Sequence, residues 1–576
     1  MILGNIGLTK WVQLGIVLVL ILFRFSYLEQ DTPPYFIGGI AQQDEVYYST
    51  GSLTRYYEDI GQYDESIELI APTEGLSLYG LHITYLGYKI FGNTYLGLRV
   101  PVVFVSGLII LLLGFVTHKT FGSADYLLKF LIILLLISDF GFFTFSRYFT
   151  PQIFSLFIIS ATFAVFVSGI QEKWKYFFLA FLAFCALSVF YIYNSFLLGG
   201  VGLFLLFKSI STKKVTPVVY GLYGVLGGVC FYQGLLSLIN DDIVSVIEAI
   251  LNVNSVRPAA EVQSGLSSLI KGVLANFSSI FTTNLLRYNP ILLWAVVVGV
   301  LSVFSRFVKR KKVEDLELLL LCVLVVMFMQ AGLANSYPFK KWIVILPIAF
   351  IFLGILTRRL TEGMESKKII ITGSILTLLI YGYSLKVNYS KLYWLHDDLN
   401  GYYVNLSWYY VASIFSALVV FLLGIFSLLR RGKDLLIKVG LFSASILFVT
   451  ISFNQFVINK EHKLKSTLIE YGGVVGDGYL VEGFSHACSF YSNAIPLFYR
   501  YDASYSLAEK QQVAAEKNKV YNKYGKNKGY FIDTVRSSEK MEYDVGEKIK
   551  VHGRAFQVLK KDEFSSYTMY LFKFTE

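Results

Sequence analysis

Residues 98–117 read LRVPVVFVSGLIILLLGFVT, twenty residues carrying one charge, at Arg99. As a helix such a stretch is about 30 Å long, enough to cross the hydrocarbon of a bilayer. Comparable apolar blocks recur along the chain, at roughly 11–28, 126–146, 151–169, 176–193, 195–207, 216–239, 290–305, 317–334, 342–357, 368–385, 408–429 and 434–454. With 98–117 they make about thirteen spans. The shortest, 195–207, is marginal and reads as either a span or an interfacial segment. The 576 residues are 55% hydrophobic and 16% charged, whereas soluble domains carry about a quarter charged residues. Soluble enzyme, disordered scaffold and fibrous protein are thereby excluded. The four cysteines, at 185, 230, 322 and 488, exclude a disulfide framework, because three lie in apolar blocks.

The balance of 51 basic against 40 acidic residues does not point to nucleic acid, because the basic residues sit in alternate connections between spans. HKTFGSAD (118–125), QEKWK (171–175), KSISTKK (208–214), RFVKRKK (306–312), TRRLTEGMESKK (357–368) and RRGKDLLIK (430–438) hold 19 of them. The positive-inside rule makes that face cytoplasmic, with the N-terminus inside. An odd number of spans then puts the C-terminus outside a cell (inner or plasma) membrane. The first block contains Arg24 and is followed by SYLEQDTPPYF, without a small-x-small cleavage site, so it reads as a retained anchor helix.

Three outward segments exceed simple connectors. Residues 29–97 show apolar and aromatic residues at three- and four-residue spacing at both ends, the pattern of amphipathic helices lying on the membrane. Residues 240–289 are similar. The tail, 457–576, has the composition of a small soluble domain. KIKVHGRAFQVL and YTMYLFKF read as its strands, and SLAEKQQVAAEKNKVYNKYG as an exposed helix. The expected architecture is thus a polytopic α-helical membrane domain, 1–456, followed by an extracytoplasmic α+β domain, 457–576.

Charges beside or within a bilayer are candidates for function, because burying them uncompensated costs several kcal/mol. Asp44 and Glu45, in AQQDEVYYS just beyond the first span, are an adjacent carboxylate pair. One could act as a general base while the other orients it; equally, an acidic pair is favourable near a helix N-terminus. Outward-facing cations are scarce: Arg99 in GLRVP, Arg147 in FFTFSRYFTPQ, and Lys340 and Lys341 in NSYPFKKWIVILP. Either an external anion such as a phosphate neutralises them, or their long side chains snorkel at the interface. His396, followed by two aspartates, is a substrate-facing site or part of a solvated turn. Asp139, about two turns from Arg147, reads as hydrogen-bonded inside the bundle. HExxH, CxxC, GxSxG and phosphate-binding glycine loops do not occur.

In order and position these features resemble the GT-C fold of membrane glycosyltransferases that use polyprenyl-phosphate-linked sugars. The lipid A aminoarabinose transferases and protein O-mannosyltransferases are the nearest look-alikes. The resemblance runs over residues 1–360: the DE-x-Y element (Asp44, Glu45, Tyr47, Tyr48), the loop closing in YKIFGNTYLGLRVP, Arg147 at the outer end of the third span, and KKWIVILP entering a proline-containing helix. It departs in the first outer loop, where IAPTEGLSLYG puts Glu74 and a single Pro72 in place of a basic residue before a double proline. It departs again after Arg147, where RYFTPQ lacks the aspartate common in relatives.

The resemblance implies transfer of a sugar to an extracytoplasmic hydroxyl of a glycan, lipid or protein, with inversion at the anomeric carbon. Asp44 would be the base, with Glu45 the alternative. Lys340, Lys341, Arg147 and Arg99 would meet the donor phosphate, and Tyr47, Tyr48, Glu74 and His396 the substrates. The leaving group is already a stabilised anion, so neither a cofactor nor a metal is chemically obligatory. The implied partners are the lipid-linked donor, the acceptor and membrane lipids. A polytopic transporter or lipid-linked-saccharide flippase is the alternative, although no repeated halves with broken mid-membrane segments occur.

Overall fold

The structure is a computed structural model that describes residues 2–26, 28, 52, 56–57, 59–61, 78–121, 126–147, 151–190, 194–239, 289–333, 343–397, 406–426, 433–453, 463–483, 488, 495–497, 529–536, 542–551, 554–563 and 567–575. Every apolar block forms a helix, as it must in lipid, where each backbone N–H and C=O has to be satisfied within its own segment. In chain order these are α1 (Ile2–Phe23), α2 (Leu78–Phe91), α3 (Tyr95–Phe121), α4 (Tyr126–Ser138), α5 (Phe140–Phe145), α6 (Pro151–Val167), α7 (Glu172–Cys185), α8 (Ser195–Thr212) and α9 (Thr216–Ile239). After the second outer segment come α10 (Pro290–Val308), α11 (Asp315–Leu333), α12 (Leu346–Thr361), α13 (Lys367–Asp397), α14 (Leu406–Phe426) and α15 (Lys433–Phe453). Among the described residues, α3, α8, α9, α10, α12 with its preceding turn, and α13 have the length and apolarity to cross a bilayer. α12 is the central helix, with 94% of its apolar stretch buried. Around it the helices bury one stripe and present another, for instance Phe104 and Leu111 on α3 and Leu222 and Leu226 on α9. The chain is a polytopic α-helical membrane protein.

Three expectations change. The block 195–207 is no interfacial segment: α8 runs on to Thr212 and packs on α11 so closely that a Cβ at Gly200 would stand 2.4 Å from the Val323 Cα. The block 126–146 is not one continuous helix: it breaks at Asp139 into α4 and α5. His396 lies in no turn, since α13 continues through Asp397; its side chain is outside the described residues. α7 ends in a π-helical turn, Ala186–Phe190, where the Asn194 carboxamide donates to the Ala186 carbonyl at 2.9 Å.

α2 is the helix expected at the end of the first outer segment. Pro101 in α3 has no N–H, so the Gly97 carbonyl four residues earlier loses its helical donor. α2 lies against that bare carbonyl, and a Cβ on Gly87 would fall 1.9 Å from it. Only glycine allows this approach.

At the other end of α3, Arg358 Nη1 donates to the Thr120 carbonyl at 2.7 Å, within a cluster that joins the ends of α10, α11 and α12. Arg306 grips Glu317 with two bonds, 2.5 and 2.7 Å. Arg359 reaches Glu317 and Glu314, and Arg358 pairs with Glu314 at 2.8 Å. Arg99 and Thr120 are 21 residues apart on one helix, about 32 Å, so this cluster and Arg99 lie a bilayer's thickness apart.

The tail begins with α16 (Lys463–Val475). Six strands follow, β1 (Tyr479–Gly483), β2 (Ile495–Leu497), β3 (Gly529–Arg536), β4 (Lys548–Val551), β5 (Arg554–Glu563) and β6 (Tyr567–Phe574). Their order is β2-β1-β3-β6-β5-β4, parallel in the first two pairings and antiparallel in the rest. KIKVHGRAFQVL becomes the β4–β5 hairpin and YTMYLFKF becomes β6, as their alternation predicts. The helix expected near 506–525 lies outside the described residues.

Candidate functional site

The end of α3 that carries Arg99 holds a layer of buried polar groups. Arg24, Arg99 and Arg147 come from three separate segments, and each is 0% exposed. Their donors converge on one stretch of backbone. Arg147 gives Nη1 to the carbonyl of Arg24 at 3.1 Å and Nη2 to that of Ser26 at 2.9 Å. Arg99 gives Nη1 to the carbonyl of Leu28 at 2.7 Å. The segment leaving α1 is therefore held at alternate residues by guanidinium groups from α3 and from the turn after α5. Arg24 in turn sends Nη2 to the Ile137 carbonyl, 2.5 Å, and Nη1 to the Ser146 hydroxyl. Aromatic faces support all three cations: Phe142 and Phe143 at 4.8 and 5.0 Å from Arg24, Tyr95 at 4.4 Å from Arg99, and Phe143 at 5.6 Å from Arg147.

Asp139 explains the break between α4 and α5. Its Oδ1 accepts the Phe142 N–H at 3.0 Å and so caps α5, while its Oδ2 accepts Asn289 Nδ2 at 3.0 Å. Asn289 immediately precedes α10 and closes the second outer segment. Asp139 is hydrogen-bonded inside the bundle, as its position in the sequence predicts.

A second set of contacts fastens the middle of the first outer segment to α2 and to the turn that follows it. The hydroxyls of Ser52 and Thr84 are 2.5 Å apart, Asn93 Nδ2 donates to the Tyr57 hydroxyl at 2.8 Å, and Asp59 meets Tyr85 and Lys89. Asp44 and Glu45 lie between the two fastenings, Leu28 on one side and Ser52 on the other. Glu45 and Ser52 are seven positions apart, a reach of at most ~25 Å.

Of the sequence-derived site residues, the structure describes the side chains of Arg99 and Arg147. Both are buried with donors committed to backbone carbonyls, which overturns interfacial snorkelling for them. Asp44, Glu45, Tyr47, Tyr48, Glu74, Lys340 and Lys341 lie outside the described residues. Among those described, no cluster of histidine, cysteine, aspartate or glutamate could hold a metal ion. Sequence reasoning gave no role to Arg24 or Asn289. The available signal was a charge closing an apolar block, and Arg24 has it.

No family profile matches the chain, and no curated protein does. Among solved structures it is similar to ArnT from Cupriavidus metallidurans in the apo state, at 14% identity and a TM-score of 0.53, over 98% of both chains. The same coverage and identity, with a TM-score of 0.54, hold for that protein bound to undecaprenyl phosphate. The likeness extends end to end, helical bundle and tail together, and shows that the chain has the GT-C fold.

Proposed function

We propose that the chain is an integral membrane glycosyltransferase, which moves a sugar from a polyprenyl-phosphate donor to a hydroxyl of a glycan, lipid or protein on the outer side of a cell membrane. The observation that carries this reading is the end-to-end likeness to a fold seen with a polyprenyl phosphate bound. The buried arginine layer supports it, because it fastens the segment that bears the carboxylate pair.

In this reading the acceptor oxygen attacks the anomeric carbon from the face opposite the phosphate. The bond from that carbon to the phosphate oxygen breaks, polyprenyl phosphate leaves with the electron pair, and the configuration inverts. Asp44 takes the acceptor proton, with Glu45 the alternative. The departing charge is met by Lys340 and Lys341. Arg147 and Arg99 add positive potential from beneath, while their N–H groups hold residues 24–28. Tyr47, Tyr48, Glu74 and His396 line the substrates. Residues 1–456 carry the chemistry, the N-terminus is cytoplasmic, and the tail stands on the outer side.

The test is to incubate the purified protein with polyprenyl-phosphate-linked sugars and measure release of the lipid phosphate. Turnover is expected in the native protein, and Asp44→Asn should lower it by about 10²–10⁴, the usual cost of losing a general base. Movement of intact lipid-linked sugar across vesicles without release would replace this reading with a flippase.

A further inference from the structure

Arg24 is buried where hydrocarbon would serve packing as well. Taking a guanidinium out of water is costly, and replacing a buried ionic group by apolar residues often leaves stability unchanged or improved. What the guanidinium supplies and hydrocarbon cannot is direction, and its bonds are unusually reciprocal. Its side chain holds the Ile137 carbonyl and the Ser146 hydroxyl, on either side of α5, while its own carbonyl is held by Arg147 from the turn that ends α5. Residue 24 is thus fixed through side chain and backbone by the residues that flank the same short helix.

The charge pattern extends the linkage. Asp139 is the carboxylate that faces Arg24, and Arg147 is the like charge beside it. Asp139 caps α5 and holds Asn289, the last residue before α10. Arg24 bonds to Ile137 and Ser146 on either side of α5, and Asp139 caps that helix and holds Asn289, so the start of the first outer segment and the end of the second are tied to the same short helix and its flanks. These are the two long outer connections of the membrane domain, and residue 24 lies twenty residues before Asp44.

We propose that Arg24, backed by Asp139 and Asn289, is a positioning residue for the transfer reaction: it sets where the first outer segment leaves the bundle, at residues 24–28, relative to Asn289, where the second one ends. The inference rests on the transferase reading above. Its consequence is that Arg24 affects turnover, through geometry, more than donor affinity or folding, since a misplacement of about 1 Å at a reacting group can cost about 10² in rate.

The test compares native protein with Arg24→Met, Arg24→Lys and Ser146→Ala. Melting temperature, kcat and donor KM are measured for each. A spin-label distance between positions 36 and 265 reports the relation of the two segments independently of activity. Arg24→Met is expected to lose about 10- to 100-fold in kcat, with donor KM within a few-fold of native and a broadened distance distribution. Arg24→Lys, which keeps the charge without the two-pronged geometry, should recover part of both, and Ser146→Ala should lose several-fold in kcat. Native kcat with an unchanged distribution in folded Arg24→Met overturns the proposal. If that variant does not fold, the same outcome in Ser146→Ala overturns it. Should the native protein release no lipid phosphate, the transferase reading falls, and the distance distribution still decides whether Arg24 fixes the segment.

Discussion

The two ends of the membrane domain use arginine in opposite ways. At the end joined by the basic connections, Arg306, Arg358 and Arg359 meet Glu314 and Glu317, two carboxylates for three cations. At the other end Arg24, Arg99 and Arg147 bond mainly to backbone carbonyls. The first cluster ties side chain to side chain and holds helix ends together. The second ties side chain to main chain and fixes the course of a segment leaving the bundle. Carbonyl dipoles orient a cation without cancelling it, so this layer keeps a positive potential. In this account, charge at the inner end serves stability and charge at the outer end serves geometry and field.

The assignment of ends is itself testable, with an all-or-none outcome. In a Cys230→Ser background, a cysteine at position 60 should react with an impermeant thiol reagent added outside cells, and one at position 311 should not. Burial pushes the Cys488 thiol up to about 12, so it stays protonated near neutral pH and should be silent until the tail unfolds. Labelling at 311 and not at 60 would invert the two ends.

The next largest effect belongs to the inner cluster. Glu317→Gln leaves Arg306 and Arg359 without their shared carboxylate in a buried position, which should cost about 3–5 kcal/mol in thermal unfolding. A native melting curve would show that the inner arginines, like the outer ones, are held by other means. Lys340→Ala should raise the donor concentration needed by the equivalent of about 1.5–3 kcal/mol, the worth of a charged hydrogen bond. It should also shrink the rise in melting temperature that donor gives the native protein. Unchanged donor dependence would move the phosphate contact elsewhere. The smallest effect calibrates the others: Lys560 and Glu470 pair on the exposed surface of the tail, and Lys560→Ala should cost less than about 1 kcal/mol by denaturation of the full chain.

The helical blocks were legible in the sequence because hydrocarbon permits so few structures: a run of about twenty apolar residues has little choice but helix. The strands of the tail were legible where alternation is regular, but the parallel pairing of β1 with β2 and β3 was not, since it depends on long connections. α8 was underread because its apolar run is short, and its place is set by Gly200 against Val323, a fit between two distant segments. The break at Asp139 was missed because an acid inside an apolar run does not reveal that it caps a new helix. Arg99 and Arg147 stood out in the sequence as charges at the ends of apolar blocks, yet their partners were invisible. They bond to the carbonyls of residues 24, 26 and 28, and a carbonyl has no residue identity to read. Glu317 fits the same pattern from the other side: its partners lie 11 and 42 residues away, and only the fold brings them together.

The central claim is that the chemistry belongs to the outer end and the inner cluster to stability. Its most direct test measures melting temperature and turnover per folded molecule for Asp44→Asn and Glu317→Gln, prepared side by side with a polyprenyl-phosphate sugar donor. The account predicts that Asp44→Asn melts like the native protein and loses about 10²–10⁴ in turnover, whereas Glu317→Gln melts early and turns over normally for each molecule that remains folded. Native turnover in Asp44→Asn, with turnover abolished in a fully folded Glu317→Gln, would contradict it and place the reacting groups at the inner end.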